Sequence, residues 1–180
     1  LAQIAMRIKE GDYSEAMTVD PRGEIGALAQ SIHLMREGIE TREREILRLA
    51  YQDALTGLPN RGKFHDCLEN AVKLSKRTNS SFSILMMDLD LFKYVNDTLG
   101  HHVGYVVFLK VARRLRALLR ESDTVARLGG DEFAVLLQND DVGCVAMLVQ
   151  KIQRALEQPI VHEGRTVDVG TSIGNANFPE

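Results

Sequence analysis

The chain has 180 residues, of which 44% are hydrophobic and 26% charged, and its 22 basic and 25 acidic residues leave a formal net charge of −3. This composition is typical of a globular protein, and the near-neutral charge argues against a protein that binds DNA or RNA through bulk electrostatic attraction. The two cysteines, Cys67 and Cys144, are too few for a disulfide-stapled secreted domain and favour a reducing compartment. No apolar run approaches the roughly 18 residues of a membrane span. Because the chain starts at Leu1 without a signal peptide, we expect a cytoplasmic piece of a longer protein.

The first fifty residues predict two helices joined by an extended connector. A short apolar stripe is followed by turn residues around Gly11 and Pro21, and then by a longer stripe whose apolar positions alternate at spacings of three and four, interrupted once by Arg42. A stripe this narrow is a heptad seam, which favours packing against a partner helix. The short stripe consists of Leu1, Ile4 and Ile8, and the seam consists of Ile25, Leu28, Ile32, Met35, Ile39, Ile46 and Leu49.

From residue 53 onwards, the periodicity predicts alternating helices and strands. We expect helices over 61–77, 103–119 and 142–156, and strands over 82–87, 124–128, 133–137, 160–162 and 166–173. The last two strands form a hairpin around Glu163-Gly164. Adjacent hairpin strands favour a mixed or antiparallel sheet, so the predicted fold class is α+β, with an antiparallel-rich central sheet flanked by helices. Cys67 and Cys144 are expected to be small core residues.

Two carboxylates, Asp88 and Asp90, follow the predicted strand over 82–87. At positions i and i+2 they point to the same face of the strand, and oxygen ligands gathered there suit a hard cation such as Mg²⁺. A strand that simply emerges into solvent is an equally good interpretation of this pair taken alone.

Gly129 and Gly130 lie between two apolar runs and predict a tight hairpin turn followed by Asp131 and Glu132. Backbone amides at such a tip can approach a phosphate closely, because glycine has no Cβ. If the hairpin lies beside the strand that ends at Asp88, Asp131 reaches the same cation. Taken alone, the pattern favours an ordinary hairpin with surface acids. His101 and His102 are not expected to bind metal.

Taken together, these segments resemble the GGDEF family of diguanylate cyclases. The resemblance rests on Gly129-Gly130-Asp131-Glu132-Phe133, on the opening motif over 53–61, on Asp88-Leu89-Asp90-Leu91-Phe92-Lys93, on Asn96-Asp97, and on Gly100-His101 with Gly104. It implies a fold related to the palm of polymerases and nucleotide cyclases. It also implies a reaction in which a dimer joins two GTP molecules into cyclic di-GMP and releases two pyrophosphates.

The resemblance also implies roles for individual residues. The Asp88 side chain, the Leu89 carbonyl and Asp131 would bind Mg²⁺, or Mn²⁺ in its place. Asp131 or Glu132 would help to deprotonate the attacking hydroxyl, and Lys93 would neutralise phosphate charge. Asn96 would bind the guanine edge, and the remaining substrate-binding positions are Phe92, Tyr105, Gly129 and Gly130.

The chain departs from the family pattern in two places. The residue after Gly104 is usually an aspartate that accepts two hydrogen bonds from guanine, but here it is Tyr105, whose phenol offers a single rotatable hydroxyl. We expect weaker GTP affinity or relaxed base selection. The family also continues beyond the Ser172-Ile173-Gly174 strand into a helix with basic phosphate ligands, whereas this chain stops at Glu180, so we expect a C-terminally truncated domain of doubtful activity.

Arg120 and Asp123 match the R-x-x-D product-inhibition motif of the family, at its usual distance from Gly129. In that motif the arginine binds product phosphate or guanine as a fork, and the aspartate binds guanine. The alternative is an arginine that ends a helix, followed by an acidic turn.

The N-terminal stripes resemble a HAMP signalling module, with Gly11-Asp12-Tyr13, Glu24-Ile25-Gly26 and Met35 as the matching residues. We therefore expect a partial HAMP module over 1–45, a helical linker over 46–52 and a GGDEF domain over 53–180. This implies a homodimer through the HAMP coiled coil, on the cytoplasmic side of a bacterial protein anchored in the inner membrane. A generic two-helix coiled coil is the alternative.

Two functions remain open at this point. The first is a HAMP-coupled diguanylate cyclase, which the intact acidic residues favour. The second is a degenerate, non-catalytic module that binds GTP or cyclic di-GMP and regulates a neighbouring domain such as a phosphodiesterase, which Tyr105 favours.

Overall fold

The structure, a computed structural model, describes residues 24–138 and 142–179 and divides into two compact units, Leu1–Leu49 and Ala50–Glu180. The predicted first helix, with Leu1, Ile4 and Ile8, lies outside the described residues, as does the Gly11-Asp12 connector. Among the described helices, none is both long enough and apolar enough to cross a membrane.

The predicted second N-terminal helix is confirmed as α1, Glu24–Tyr51, which is 28 residues long. Ion pairs such as Arg48–Glu45 lie on its polar side. Four seam residues expose more than half of their surface, namely Leu28, Met35, Ile46 and Leu49. The apolar stripe of a single chain is therefore left open along this helix.

The second unit confirms the predicted α+β class. Its four-stranded sheet has the order β2-β3-β1-β6 with every neighbouring pair antiparallel, and β4 pairs with β5 in a separate hairpin. The elements are α2 (Arg61–Thr78), β1 (Phe82–Asp90), α3 (Phe92–Leu99), α4 (His101–Leu118), β2 (Thr124–Gly129), β3 (Glu132–Gln138), α5 (Val142–Leu156), β4 (Ile160–His162), β5 (Arg165–Val167) and β6 (Gly170–Phe178).

Each face of the sheet carries buried residues, and strand alternation assigns each side chain to one face. One face carries Leu85, Met87 and Leu89 of β1 and packs against α4 and α5. On the other face, a smaller cluster contains Ala134 and Leu136 of β3 and packs against α2. The sheet is thereby fixed from both sides, and the ends of its strands are held in place.

Two predictions of secondary structure were wrong. The sequence pattern predicts no element over 92–99, but this segment forms α3, because Leu91 adopts a left-handed conformation (φ +59°) that turns the chain from strand to helix within one residue. The single strand expected over 166–173 is split. Val167 ends β5 and Gly170 begins β6 in the other sheet, although Val167 and Val169 are both buried and keep the alternation through the break.

β6 also extends past its predicted end, to Phe178. Its last residues have little strand propensity of their own, but they pair with β1 as far as Phe82. The Ser83 hydroxyl donates to Asn177 Oδ1 at 2.8 Å.

Cys67 is half-buried, and the expectation of a core position for Cys144 was wrong, since its side chain is exposed.

Candidate active site

The register between β1 and β3 places acidic residues of both strands together. Asp88 lies opposite Glu132, and the backbone N–H of Leu89 donates to the Asp131 carbonyl at 3.3 Å. The Gly129-Gly130 hairpin therefore lies beside the strand that ends in Asp88-Leu89-Asp90. This is the arrangement that the sequence required for a shared cation.

The acidic residues repel one another at the end of β1. Desolvation by neighbouring groups raises the pKa of the exposed Asp88 carboxyl above its ordinary value, and the negative charges of Asp131, Asp90 and Glu132 raise it further. Each additional negative charge makes ionisation of Asp88 less favourable, so a bound cation would relieve the repulsion. The charge distribution therefore fits a divalent metal.

Two of these carboxylates have partners of their own. Asp90 accepts a hydrogen bond from the Ser172 hydroxyl at 2.7 Å, and Glu132 pairs with Arg61 at 3.1 Å. Within residues 24–138 and 142–179, the structure gives the side chains of Asp88 and Asp131 no hydrogen-bonding or ionic partner.

The described residues include no group of three acidic ligands of this site within 4.8 Å of one another. The oxygen donors at this end of β1 are the carboxylates of Asp88 and Asp131 and the Leu89 carbonyl. Oxygen ligands of this kind suit Mg²⁺.

The tip of the hairpin requires glycine. Gly129 and Gly130 have φ values of +141° and +54°, which side-chain-bearing residues rarely adopt, and a Cβ at either position would meet nothing within 4 Å. Open space therefore lies beside both backbones, where a ligand can approach the amides.

Arg127 holds the hairpin in place. Its guanidinium donates to the Gly130 carbonyl from Nε at 3.1 Å and from Nη2 at 2.7 Å, and from Nη1 to both oxygens of Asp53 at 3.2 Å. The same group lies 3.8 Å from the ring centroid of Phe108. Sequence reasoning did not assign this anchoring role, because Arg127 and Asp53 are far apart in the chain.

The surroundings of Asp53 favour its ionised form, which pairs with Arg127. Burial alone would raise the pKa of this carboxyl, but hydrogen bonds from the Thr56 hydroxyl (2.6 Å) and amide (2.8 Å), together with the Arg127 charge, hold the pKa below its ordinary value.

Arg61 was also missed as a site residue. Its Nε donates to the Leu128 carbonyl at 3.2 Å, so it lies beside the hairpin as well as beside Glu132.

The residues predicted to bind guanine cluster where α3 meets α4. Gly104 is buried, and a Cβ at this position would overlap the Asn96 Oδ1 atom and lie 2.9 Å from Phe92 Cζ. The Asn96 amide therefore lies directly on the Gly104 backbone. Tyr105, 54% exposed, follows on the same turn. Phe92 is only 6% exposed and packs on Phe108, so it supports Asn96 from the core.

Lys93 follows Phe92 in the first turn of α3, just past the carboxylates of β1, and is exposed.

Arg120 and Asp123 lie at the opposite end of β2 from the hairpin. The backbone N–H of Arg120 donates to Asp123 Oδ2 at 3.0 Å, which closes the turn between α4 and β2. Both residues line two surface grooves, one beside Lys63 and one beside Lys151. Basic side chains on both sides are compatible with an anionic ligand.

Comparison with known proteins identifies the family. The family described as "Diguanylate cyclase, GGDEF domain" matches residues 50–180, and the HAMP domain matches residues 1–41. The bifunctional diguanylate cyclase/cyclic di-GMP phosphodiesterase MucR of Pseudomonas aeruginosa is 43% identical over 136 residues, which is 76% of this chain and 20% of MucR. Diguanylate cyclase TpbB of the same species is 34% identical over 190 residues, covering 100% of this chain and 44% of TpbB. The chain thus spans less than half the length of these relatives.

Solved structures give the same result. The GGDEF domain of TpbB from P. aeruginosa has a TM-score of 0.68 and 42% identity, covering 72% of this chain and 76% of that one. The coiled coil and GGDEF domain of DgcB from Caulobacter crescentus, solved in complex with c-di-GMP, has a TM-score of 0.77 and 25% identity, covering 86% of this chain and 83% of that one. On the family match over residues 50–180 and these relatives, the chain belongs to the GGDEF-domain family of diguanylate cyclases, with a HAMP domain at its N-terminus.

Proposed function

We propose that this chain is the catalytic part of a diguanylate cyclase that condenses two GTP molecules into cyclic di-GMP and releases two pyrophosphates. The observation that carries the proposal is a pair of carboxylates beside the open backbone of the Gly129-Gly130 tip: Asp88 near the end of β1 and Asp131 in the turn that leads into β3, neither with a side-chain partner among the described residues. Curated relatives named as diguanylate cyclases support the reaction.

Each residue group has a distinct task in this reaction. Asp88, Asp131 and the Leu89 carbonyl would hold Mg²⁺, or Mn²⁺ in its place, and the bound ion would supply charge stabilisation on the phosphate and pyrophosphate oxygens. The amides of Gly129 and Gly130 bind phosphate oxygens, and Lys93 neutralises triphosphate charge.

Proton transfer falls to the acidic residues that follow the hairpin tip. Asp131 or Glu132 takes the proton from the 3′-hydroxyl that attacks the α-phosphate held by the other subunit. Arg61, paired with Glu132 at 3.1 Å, limits the directions in which that carboxylate can point.

Base recognition depends on Asn96 and Tyr105. Asn96 is held against Gly104, so its amide is presented to the guanine edge in a fixed position. Tyr105 replaces a carboxylate acceptor with one hydroxyl, so a guanine donor loses its protein acceptor, at a smaller cost than in a buried site because Tyr105 is 54% exposed. We therefore expect weaker GTP binding and reduced discrimination against ATP, and we expect Tyr105→Asp to restore both.

Regulation is proposed at two places, the N-terminal helix and the turn between α4 and β2. The exposed seam of α1 and the HAMP match support a parallel homodimer that brings two catalytic domains together, in the cytoplasmic portion of a membrane-anchored bacterial protein. Cyclic di-GMP binds at Arg120 and Asp123 and inhibits its own synthesis.

The test is to incubate the full-length protein with GTP and Mg²⁺ and to measure cyclic di-GMP by chromatography and mass spectrometry. We expect synthesis that is lost in Asp88→Asn and Asp131→Asn and retained in Asp123→Asn. Tyr105→Asp, assayed in parallel with GTP and ATP, shows whether this position limits turnover. GTP binding without any cyclic di-GMP from the full-length protein would overturn the proposal in favour of a non-catalytic nucleotide-binding module.

A further inference from the structure

Three metal-binding side chains converge at a place that is separate from the acidic cluster. His102 lies in the first turn of α4, His162 ends β4, and Glu163 begins the turn to β5. One ligand atom from each residue lies within 4.8 Å of the other two. His162 Nε2 is 3.9 Å from Glu163 Oε1, and the two imidazole centroids are 6.3 Å apart. Sequence patterns provide no signal that connects His102 with residues so distant in the chain.

The two elements that carry these ligands are anchored in one core. Ile160 of β4 and Val167 of β5 are 2% and 4% exposed, and Val103, next to His102, is 4% exposed. All three side chains belong to the same buried cluster. Ligands on elements fixed in this way hold their separation, which favours binding because little ordering is needed.

Glu163, in the turn between β4 and β5, has a backbone conformation that is unusual for glutamate. Glu163 and Gly164 have φ values of +49° and +74°, which define a tight hairpin turn whose first position favours asparagine, aspartate or glycine. A glutamate there is conformationally unfavourable. Its carboxylate nevertheless extends towards His162, and the side chain is 74% exposed and able to move.

We propose that His102, His162 and Glu163 form a binding site for a transition-metal ion, with Zn²⁺ as the preferred ion. Two imidazoles and one carboxylate are a donor set that zinc accepts with a fourth position left for water, whereas Mg²⁺ prefers oxygen ligands alone. Metal–ligand bonds near 2.1 Å place tetrahedral ligand atoms about 3.3 Å apart, so exposed side chains need to close by roughly 1 Å. The site does not depend on the proposed function.

Zinc affinity tests the proposal directly. Titration calorimetry of the chain with Zn²⁺, in excess Mg²⁺ so that the carboxylates of Asp88 and Asp131 are occupied, should give one tight site per chain. His102→Ala, His162→Ala and Glu163→Asn should each weaken zinc binding at least tenfold, since loss of even an outer partner of a metal ligand costs about 10–100-fold. Co²⁺ should bind with the intense visible absorption of a tetrahedral ion, and these variants should lose it.

Two controls separate loss of the site from loss of folding or from surface binding. Glu163→Asn suits the turn, so this variant should melt no lower than the natural chain in the absence of zinc. His65, which lies 3.3 Å from Glu69 on α2, forms an exposed two-residue pair of the same donor types, and His65→Ala should leave the tight site within twofold. Unchanged affinity in His162→Ala, or an equal loss in His65→Ala, would overturn the proposal and indicate non-specific binding to surface histidines.

Discussion

Replacing Arg127 with alanine should destabilise the domain and release the hairpin at the same time. The Arg127 side chain is 10% exposed and that of Asp53 is 20% exposed, so the variant leaves a largely buried carboxylate without its cation. Breaking a buried ion pair costs about 3–5 kcal/mol, but Asp53 keeps both hydrogen bonds from Thr56. We therefore expect the free energy of unfolding to fall by about 2–3 kcal/mol, which lowers Tm by roughly 5–10 °C in a chain of this size.

The pH dependence of stability provides a second test of the ion pair between Arg127 and Asp53. Since the pKa of Asp53 is lowered by folding, its contribution to stability is present above the ordinary value of 3.8 and is lost as the pH falls through the folded value. Arg127→Ala removes one cause of the lowered pKa. The stability difference between the natural chain and Arg127→Ala should therefore be largest at neutral pH and shrink as the pH falls below 3.8.

The assay is thermal and urea unfolding from pH 3 to pH 8, combined with GTP binding. Arg127→Lys keeps the charge but lacks the planar fork that bridges Asp53 and the Gly130 carbonyl, so it should recover only part of the stability. Arg77→Ala, on the exposed side of α2, should lie within about 0.5 kcal/mol of the natural chain. If Arg127→Ala unfolds like Arg77→Ala, the anchoring role is wrong.

The remaining predictions concern the acidic cluster, the glycine under Asn96 and the product site. Asp88→Asn should raise the free energy of unfolding slightly at pH 7 in the absence of Mg²⁺, because a raised pKa makes the ionised group a cost above that pKa. The same variant should lose metal-dependent synthesis, and melting with and without Mg²⁺, together with the synthesis assay, checks both outcomes. Gly104→Ala gains about 1 kcal/mol of helix propensity, but the added Cβ overlaps the Asn96 amide and approaches the Phe92 ring. We therefore expect the free energy of unfolding to fall by about 1 kcal/mol and GTP to bind more weakly. Tighter GTP binding in this variant would contradict the prediction. Arg120→Ala should weaken cyclic di-GMP binding at least tenfold in calorimetry and leave the initial rate of synthesis intact, and unchanged affinity would refute a product site there.

The local sequence pattern was sufficient to predict most of the helices and strands, but it was insufficient to predict which strands lie next to each other in the sheet. The apolar run over 82–87 predicted β1, and the paired glycines predicted the hairpin between β2 and β3. Nothing in that pattern states that β1 lies between β3 and β6, since this order follows from how the helices cover both faces. The sequence could state only as a condition that the glycine hairpin lies beside the strand ending at Asp88, and the β1–β3 register, which places Asp88 opposite Glu132, meets that condition.

Contacts between side chains that are far apart in the chain could not be predicted from the sequence pattern. Asp53 and Arg127 each belong to a recognisable motif, yet periodicity carries no signal that pairs them. The same holds for His102 and His162, which come together only because α4 and the β4–β5 hairpin pack into one core. Both partnerships follow from packing of distant segments, and packing is decided by the whole sheet.

The acidic cluster weakens the part of the fold in which it lies, and the surroundings offset this. Asp88 is less favourably ionised in the folded chain than in the unfolded one, so at neutral pH it opposes folding. The hairpin that brings Asp131 towards it is held by Arg127, whose contacts are to Asp53, the Gly130 carbonyl and the Phe108 ring. A neutral residue in place of Asp88 would fit the same backbone with less repulsion. The combination of a strong anchor and a repulsive tip is therefore what a cation-binding site requires, and a hairpin selected for stability alone has no need of it.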